Sequence, residues 1–238
     1  MVIPARYGSV RLPGKPLAVI AGKPVIQHVY EGAAKSTKAD DVIVATDDRR
    51  IVEAVEHFGG VAVMTSAAAR SGTDRAAEVA RAHTAQVVIN VQGDEPLVQP
   101  DMIDQLADFL GRHGAVPMAS LMTKLRAEDV NNPNVVKVVV DHDGFALYFS
   151  RAAIPYVRQQ VAAPAWKHLG IYGYQRHFLL QFPHLEPTPL EQTEQLEQLR
   201  ALEHGHRIKL LETVHDTIGV DTSEDLKTVE ALLARVAS

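Results

Sequence analysis

Through its first half the chain alternates short apolar runs with stretches of helical spacing, and no other feature of the sequence limits the fold as tightly. Met1 to Ala5, Val42 to Thr46, Val61 to Thr65 and Val87 to Val91 read as strands. Between them Val25 to Ala34 can form a helix. Ile51, Val52, Val55 and Phe58 fall at helical spacing before Gly59-Gly60, and Ala76, Val79 and Ala80 mark the inner face of a helix opened by Ser71. Strands alternating with helices in this way build a parallel sheet with crossover helices. Val87-Val88-Ile89-Asn90-Val91 is the most hydrophobic strand, so it is placed at the sheet's centre.

After a helix from Pro100 to about Gly111 the texture changes. Val116–Thr123, Val135–Asp141, Phe145–Phe149 and His168–Tyr174 read as strands, joined by turn-rich segments such as Asn131 to Asn134 and Asp141 to Gly144. Pro189 to Glu203 reads as one helix with Leu196, Leu199 and Leu202 as its buried stripe. Ile208 to Val214 is the last strand. Thr222 to Val236 is a closing helix whose Thr222 and Asp225 form a capping box. The expected fold is α/β: an open, mainly parallel sheet with a Rossmann-like nucleotide-binding half and a later excursion of strands. It is read as a single domain over 1–238, with the nucleotide half to about 115, the excursion over about 116–215 and the closing helix over 216–238.

A chain of 238 residues has ample material for one large core. The net charge of −5 argues against a nucleic-acid binder, which would carry a basic stripe. Any phosphate must therefore be met by local cations. The absence of cysteine removes disulfides, thiolate metal sites and a cysteine nucleophile, and suits a reducing compartment. No apolar run approaches the ~20 residues of a membrane span, and Met1 leads straight into the first strand without a leader. A cytoplasmic protein with no membrane partner is expected.

Ligands of open α/β sheets bind beyond the carboxyl ends of the strands. Three polar clusters fall there. The first, Arg6 to Leu17, carries Arg6, Arg11 and Lys15 in a loop denied a regular helix by Pro13 and Pro16. Such a loop suits a phosphate group, but it is no known phosphate motif: five residues separate Gly8 from Gly14, and Pro16 follows Lys15. The second cluster is Thr46-Asp47-Asp48. The third, Gln92-Gly93-Asp94-Glu95, follows the most buried strand, so Asp94 is held rigidly. A carboxylate there suits Mg²⁺, which takes oxygen ligands together with substrate phosphates; a turn aspartate is the plainer alternative. Asp221 sits before the closing helix, where an acid also serves the helix dipole. Ser71 to Arg75 can cap a helix or present N–H groups and hydroxyls to a nucleotide. Glu194 and Glu197, with Gln198 beside them, project opposite the leucine stripe, as a solvated face would. His168, Tyr172 and Tyr174 share one face of a strand that follows Arg151.

Ile3-Pro4-Ala5-Arg6-Tyr7-Gly8-Ser9-Val10-Arg11-Leu12-Pro13-Gly14-Lys15-Pro16-Leu17 resembles the P-A-R-x-x-S-x-R-L-P-G-K-P-L signature of the sugar cytidylyltransferases. The resemblance extends over Ala45 to Asp47, Ser71 to Arg75, Asn90 to Pro96, Asn132 to Asn134, Val136 to Val139, Ala146 to Arg151, Ile154-Pro155, His168 to Tyr174, Leu196 to Arg200 and Gly219 to Thr222. The opening loop is shared with enzymes acting on sialic acid. The run from Ala146 to Arg200 is similar to the branch acting on 3-deoxy-D-manno-octulosonate (Kdo).

The resemblance implies a transferase that moves CMP from CTP to the anomeric 2-hydroxyl of Kdo, giving CMP-Kdo and pyrophosphate for lipopolysaccharide biosynthesis. It implies Ala5, Arg6, Ser9, Arg11, Lys15, Ser71, Gly72, Arg75, Gln92 and Asp94 around CTP, with Lys15, Arg11 and Asp94 carrying the chemistry. Gln92, Arg151, His168, Tyr172, Tyr174, Glu197 and Gln198 would hold the sugar, Asp94 and Asp221 would hold Mg²⁺, and the strand excursion would form a homodimer. Other readings stay open: transfer to 8-amino-Kdo or sialic acid, or a nucleotide-binding regulatory module without chemistry. Ser223 stands where relatives often have proline, and Met1 where they carry further residues of the first strand.

Overall fold

A computed structural model describes residues 1–8, 12–159 and 165–236. β1 (Val2–Pro4) leads through the opening loop and a 3₁₀ turn at Lys15–Leu17 to a small ribbon, β2 (Val19–Ile20) and β3 (Lys23–Pro24). Then come α1 (Val25–Ala33), β4 (Ile43–Thr46), α2 (Arg49–His57), β5 (Ala62–Met64), α3 (Gly72–Arg81), β6 (Val87–Asn90) and α4 (Pro100–Arg112). The later half contains β7 (Met118–Lys124), β8 (Lys137–Val140), β9 (Ala146–Ser150), β10 (Trp166–Gln175), α5 (Arg176–Gln181), α6 (Pro189–Glu194), α7 (Gln198–Glu203), β11 (Ile208–Glu212) and α8 (Ser223–Val236).

The main sheet runs β11-β7-β10-β6-β1-β4-β5, with β8 beside β10 and β9 beside β8. β6 stands at the middle of that order, where its hydrophobicity puts it. β5, β4, β1 and β6 pair in parallel, as do β7 and β11, whereas β10 is antiparallel to both of its neighbours β6 and β7. The open, mainly parallel sheet is thus as the sequence predicts, with β10 reversed beside its centre and β9 reversed beside β8.

Both faces of the sheet are covered, which is why its strands are apolar throughout instead of alternating. Ile3, Val44, Ile89, Val91, Ala119 and Leu121 pack with α1, α2, α4 and α8 on one face. Val2, Ile43, Val88, Met118 and Met122 pack with α3, α5 and α7 on the other. Each large aliphatic side chain taken out of water contributes about 1.5–3 kcal/mol, so this two-sided burial fixes the strand register and hence the height of the strand ends. Asp48 accepts the Arg50 N–H at the start of α2, and Ser71 accepts the Asp74 N–H at the start of α3. The capping box of α8 is present: Thr222 N–H donates to Asp225, whose N–H donates to the Thr222 hydroxyl. Val236, assigned to that helix's inner face, has its side chain outside the described part.

The single helix expected over Pro189 to Glu203 is two. Gln195 adopts a left-handed conformation, φ 54°, and separates α6 from α7. The break also overturns the solvated face expected of Glu194 and Glu197. Glu194 turns inward, accepting from the Ser150 hydroxyl at 2.6 Å and the Arg151 N–H at 2.9 Å. Glu197 accepts from the Thr73 hydroxyl, and Gln198 is 4% exposed. These side chains reach for polar partners on β9 and α3 that helical periodicity does not register.

Candidate active site

A cavity of about 560 Å³ opens at the carboxyl ends of β1, β4 and β6. All three polar clusters of the sequence border it. Gly14, at φ 71°, packs against the Tyr7 ring and donates its N–H to the Tyr7 carbonyl, which closes the opening loop on itself. That closure sets Lys15 at the start of the 3₁₀ turn and aims it across the cavity. Ala5, Arg6 and Lys15 line the space; Ser9 and Arg11 lie outside the described residues.

Lys15 Nζ donates to Asp94 Oδ2 at 2.5 Å and to Asp221 Oδ1 at 3.0 Å. Two acids from positions 127 residues apart therefore converge on one cation. The closing segment is tied to the sheet edge by the Val220 N–H on the Asp94 carbonyl, 2.8 Å. Burial alone would lower the Lys15 pKa, but the Asp94 and Asp221 carboxylates outweigh it and raise it, so the ammonium is secured. Behind them Glu95 is pushed up to about 7, first by burial and then by the Asp94 charge.

On the opposite wall Ser71, Gly72 and Arg75 border the cavity from the start of α3. Arg75 is almost wholly buried. Its guanidinium donates to Asp47 Oδ2 and to the Thr65 hydroxyl, both at 2.7 Å. The spacing of the sequence assigned Asp47 no partner, because nothing local links the end of β4 to a helix three elements later. Ala67, Ala69 and Arg70 also line the cavity without having been singled out, and so do Pro16 and Gly93 of the first and third clusters. Gly93 is forced by close approach: a Cβ there would sit 2.7 Å from the Pro4 carbonyl.

Of the residues assigned to the sugar, Gln92 lines the cavity and the other six do not. His168, Tyr172 and Tyr174 do share one face of β10, with ring centroids 5.4 and 6.2 Å apart in succession. His168 is buried, and burial takes its pKa down to about 3. The Ser120 hydroxyl has carbonyls of Leu169 and Ile171 to donate to, so it accepts from His168 Nε2, at 2.9 Å. The imidazole is therefore neutral with its proton on Nε2. Glu197, just before α7 and pushed up by burial, accepts from the Thr73 hydroxyl and lies 3.8 Å from the Arg200 guanidinium. Arg151 gives its guanidinium to the carbonyls of Glu194, Pro133 and Gln195.

The donor set fits a hard divalent cation. Asp94 and Asp221 are carboxylates that already converge on one positive charge, and Mg²⁺ is commonly held by one or two carboxylates with substrate phosphates completing its shell. Among the described residues there is no cluster of three or more acidic, histidine or cysteine ligands that would form a self-sufficient metal cage.

A family model described as cytidylyltransferase matches residues 1–208. The chain is 50% identical to the 3-deoxy-manno-octulosonate cytidylyltransferase of Geobacter sulfurreducens, over 96% of each chain. Among solved structures it is similar to CMP:2-keto-3-deoxy-manno-octonic acid synthetase complexed with CTP, with TM-score 0.94, 47% identity and coverage of 98% and 97%. The 4-diphosphocytidyl-2C-methyl-D-erythritol synthase of Anaerococcus prevotii shares the fold, at TM-score 0.66 and 13% identity over 98% of this chain and 95% of that one.

Proposed function

Because the chain belongs to the 3-deoxy-manno-octulosonate cytidylyltransferase family, we propose that it transfers CMP from CTP to the anomeric 2-hydroxyl of Kdo, releasing pyrophosphate. The observation that carries this reading is the convergence of Lys15, Asp94 and Asp221 at the strand ends, on the floor of a cavity walled by the start of α3. A nucleoside triphosphate needs local cations in a chain of net charge −5, and this is where they are.

In this reading Arg6 and Lys15 meet the triphosphate, joined by Ser9 and Arg11 as the resemblance implies, while Ser71, Gly72 and Arg75 meet the nucleoside. Gln92 lies between nucleotide and sugar. His168, Tyr172, Tyr174, Glu197, Gln198 and Arg151 form or support the sugar side. The sugar oxygen bonds to the α-phosphorus, the bond from that phosphorus to pyrophosphate breaks, and the hydroxyl proton leaves to solvent. Lys15 opposes the charge that grows on the phosphate oxygens, and removing one such contact typically costs ~10²–10³ in rate. Asp94 and Asp221 would hold Mg²⁺, which when bound supplies positive charge to the phosphates and lowers the pKa of a nearby hydroxyl. No covalent protein nucleophile is required.

A cytoplasmic homodimer serving lipopolysaccharide biosynthesis belongs to the same proposal. Exposed Leu147 on β9 and exposed Tyr156 and Val157 beyond it support an interface on that side. CTP labelled at its α-phosphorus tests the reaction. With Kdo present the label is expected in CMP-Kdo and none in pyrophosphate; label left in CTP, or appearing in free CMP with Kdo unchanged, would sink the proposal.

A further inference from the structure

Between β11 and α8 the chain runs from Thr213 to Asp221 with neither helix nor strand, and Asp221 stands at the far end of that stretch. Irregular backbone keeps more freedom than a ladder or a helical turn. A carboxylate carried on it is therefore placed only as well as its anchors place it.

The sheet's hold on this stretch is Lys167 of β10. Its Nζ donates to Asp216 Oδ1 at 2.6 Å and to the Thr217 carbonyl at 3.0 Å, and its side chain is 15% exposed. Asp216 also faces the Arg126 guanidinium at 3.1 Å, from the loop after β7. An ammonium so far out of water is costly unless it is paired and hydrogen-bonded, and here it is both. From Thr217 the chain runs along the site. Gly219 passes Glu95 so closely that a Cβ would sit 3.4 Å from its Oε1, and buried Val220 donates its N–H to the Asp94 carbonyl. Asp221 follows, its carboxylate on Lys15 and its N–H on Asp225 Oδ2 at 3.0 Å. The carbonyl that Lys167 grips is thus joined to Asp221 by a short, pinned length of chain.

We propose that Lys167 is a positioning residue: by latching Asp216 and Thr217 to β10, it sets Asp221 opposite Asp94 for the divalent cation. This rests on the metal site of the function proposed above. It also gives β10 two tasks, since Lys167 and its neighbour His168 point to opposite faces of the sheet.

The test is Mn²⁺ binding to the full chain with CTP and without Kdo, Mn²⁺ suiting the same oxygen ligands as Mg²⁺. Water-proton relaxation reads it, because it separates protein-bound ion from ion carried by CTP in solution. Lys167→Met keeps an unbranched stem and removes the ammonium. Its Kd for Mn²⁺ is expected to rise about tenfold, as when a metal ligand loses its outer support, while the Kd for metal-free CTP stays within about twofold. Lys167→Arg still offers Asp216 a cation and is expected to recover most of that loss. A lower melting temperature with unchanged Mn²⁺ affinity, or equal weakening of Mn²⁺ and metal-free CTP, would reduce Lys167 to a strut of the fold and overturn the inference. Should Lys167→Met not fold, Asp216→Ala cuts the latch from its other side, and unchanged Mn²⁺ affinity there overturns it equally. A wild type that binds no Mn²⁺ beside CTP would remove the metal site and the latch together, whereas wild-type binding with unaffected variants would remove the latch alone.

Discussion

Asp94 is where the residue chemistry is most exposed to test, because it has no fold-holding role comparable to its electrostatic one. Asp94→Ala is expected to abolish turnover while leaving the melting temperature within a few degrees of wild type. Near-normal activity in the folded variant would sink the metal assignment. His168 gives a pH prediction with a definite sign. Its pKa falls from 6.5 in the unfolded chain to about 3 in the fold. Below pH 6.5 the unfolded chain therefore binds a proton that the fold refuses, and stability falls as the pH drops towards 3, by about 1.4 kcal/mol per pH unit. His168→Gln keeps a donor for Ser120 and is expected to flatten the loss of melting temperature between pH 6.5 and 4; an unchanged slope would contradict the buried neutral imidazole. At neutral pH the buried His168 imidazole is neutral, so in the proposed sugar site it would act as a hydrogen-bonding group and not as a cation. Residue by residue, Lys15 was legible as a cation of the proline-bounded opening loop, and Asp94 because it follows the most hydrophobic strand. The Asp47–Arg75 pair was not, since 28 residues and two elements separate its members.

At the scale of elements, the chain's strands and crossover helices follow from spacing because both faces of the sheet are buried and the apolar runs are correspondingly unbroken. The α6–α7 break did not follow from it. Leu196, Leu199 and Leu202 fit one helical stripe, yet the left-handed Gln195 turns the chain so that Glu194 reaches Ser150 and Glu197 reaches Thr73. Polar partners on other elements outweigh local periodicity here. Left-handed backbone costs an ordinary residue about 1–2 kcal/mol and costs glycine nothing comparable. Gln195→Gly is therefore expected to match or exceed wild-type stability by up to about 1 kcal/mol, and Gln195→Val to lose about 1–2 kcal/mol. Urea unfolding of the two variants checks this, and the reverse order would mean the turn is not left-handed in solution. β10 is the other element whose setting was hidden. Its apolar character marked it as a strand, but its antiparallel insertion between β6 and β7 depends on distant pairing, with Tyr172 opposite Asn90 on one side and Tyr174 opposite Met118 on the other.

For the molecule as a whole, the sheet brings sequence-distant groups to one edge: the opening loop, the end of β6, the start of α3 and the approach to α8 meet around a single cavity. That edge was legible in outline from the polar clusters that end the strands, whereas the sugar side was drawn from resemblance, and six of its seven residues are buried or half-buried without lining the cavity. The central claim is that this edge joins CTP to Kdo. The most direct measurement is pyrophosphate release from CTP and Mg²⁺ with Kdo, with 8-amino-Kdo, with sialic acid and with no sugar, in parallel. The account predicts rapid release with Kdo and background with no sugar or sialic acid. Release with sialic acid alone, or none with any sugar while CTP still binds, would contradict it.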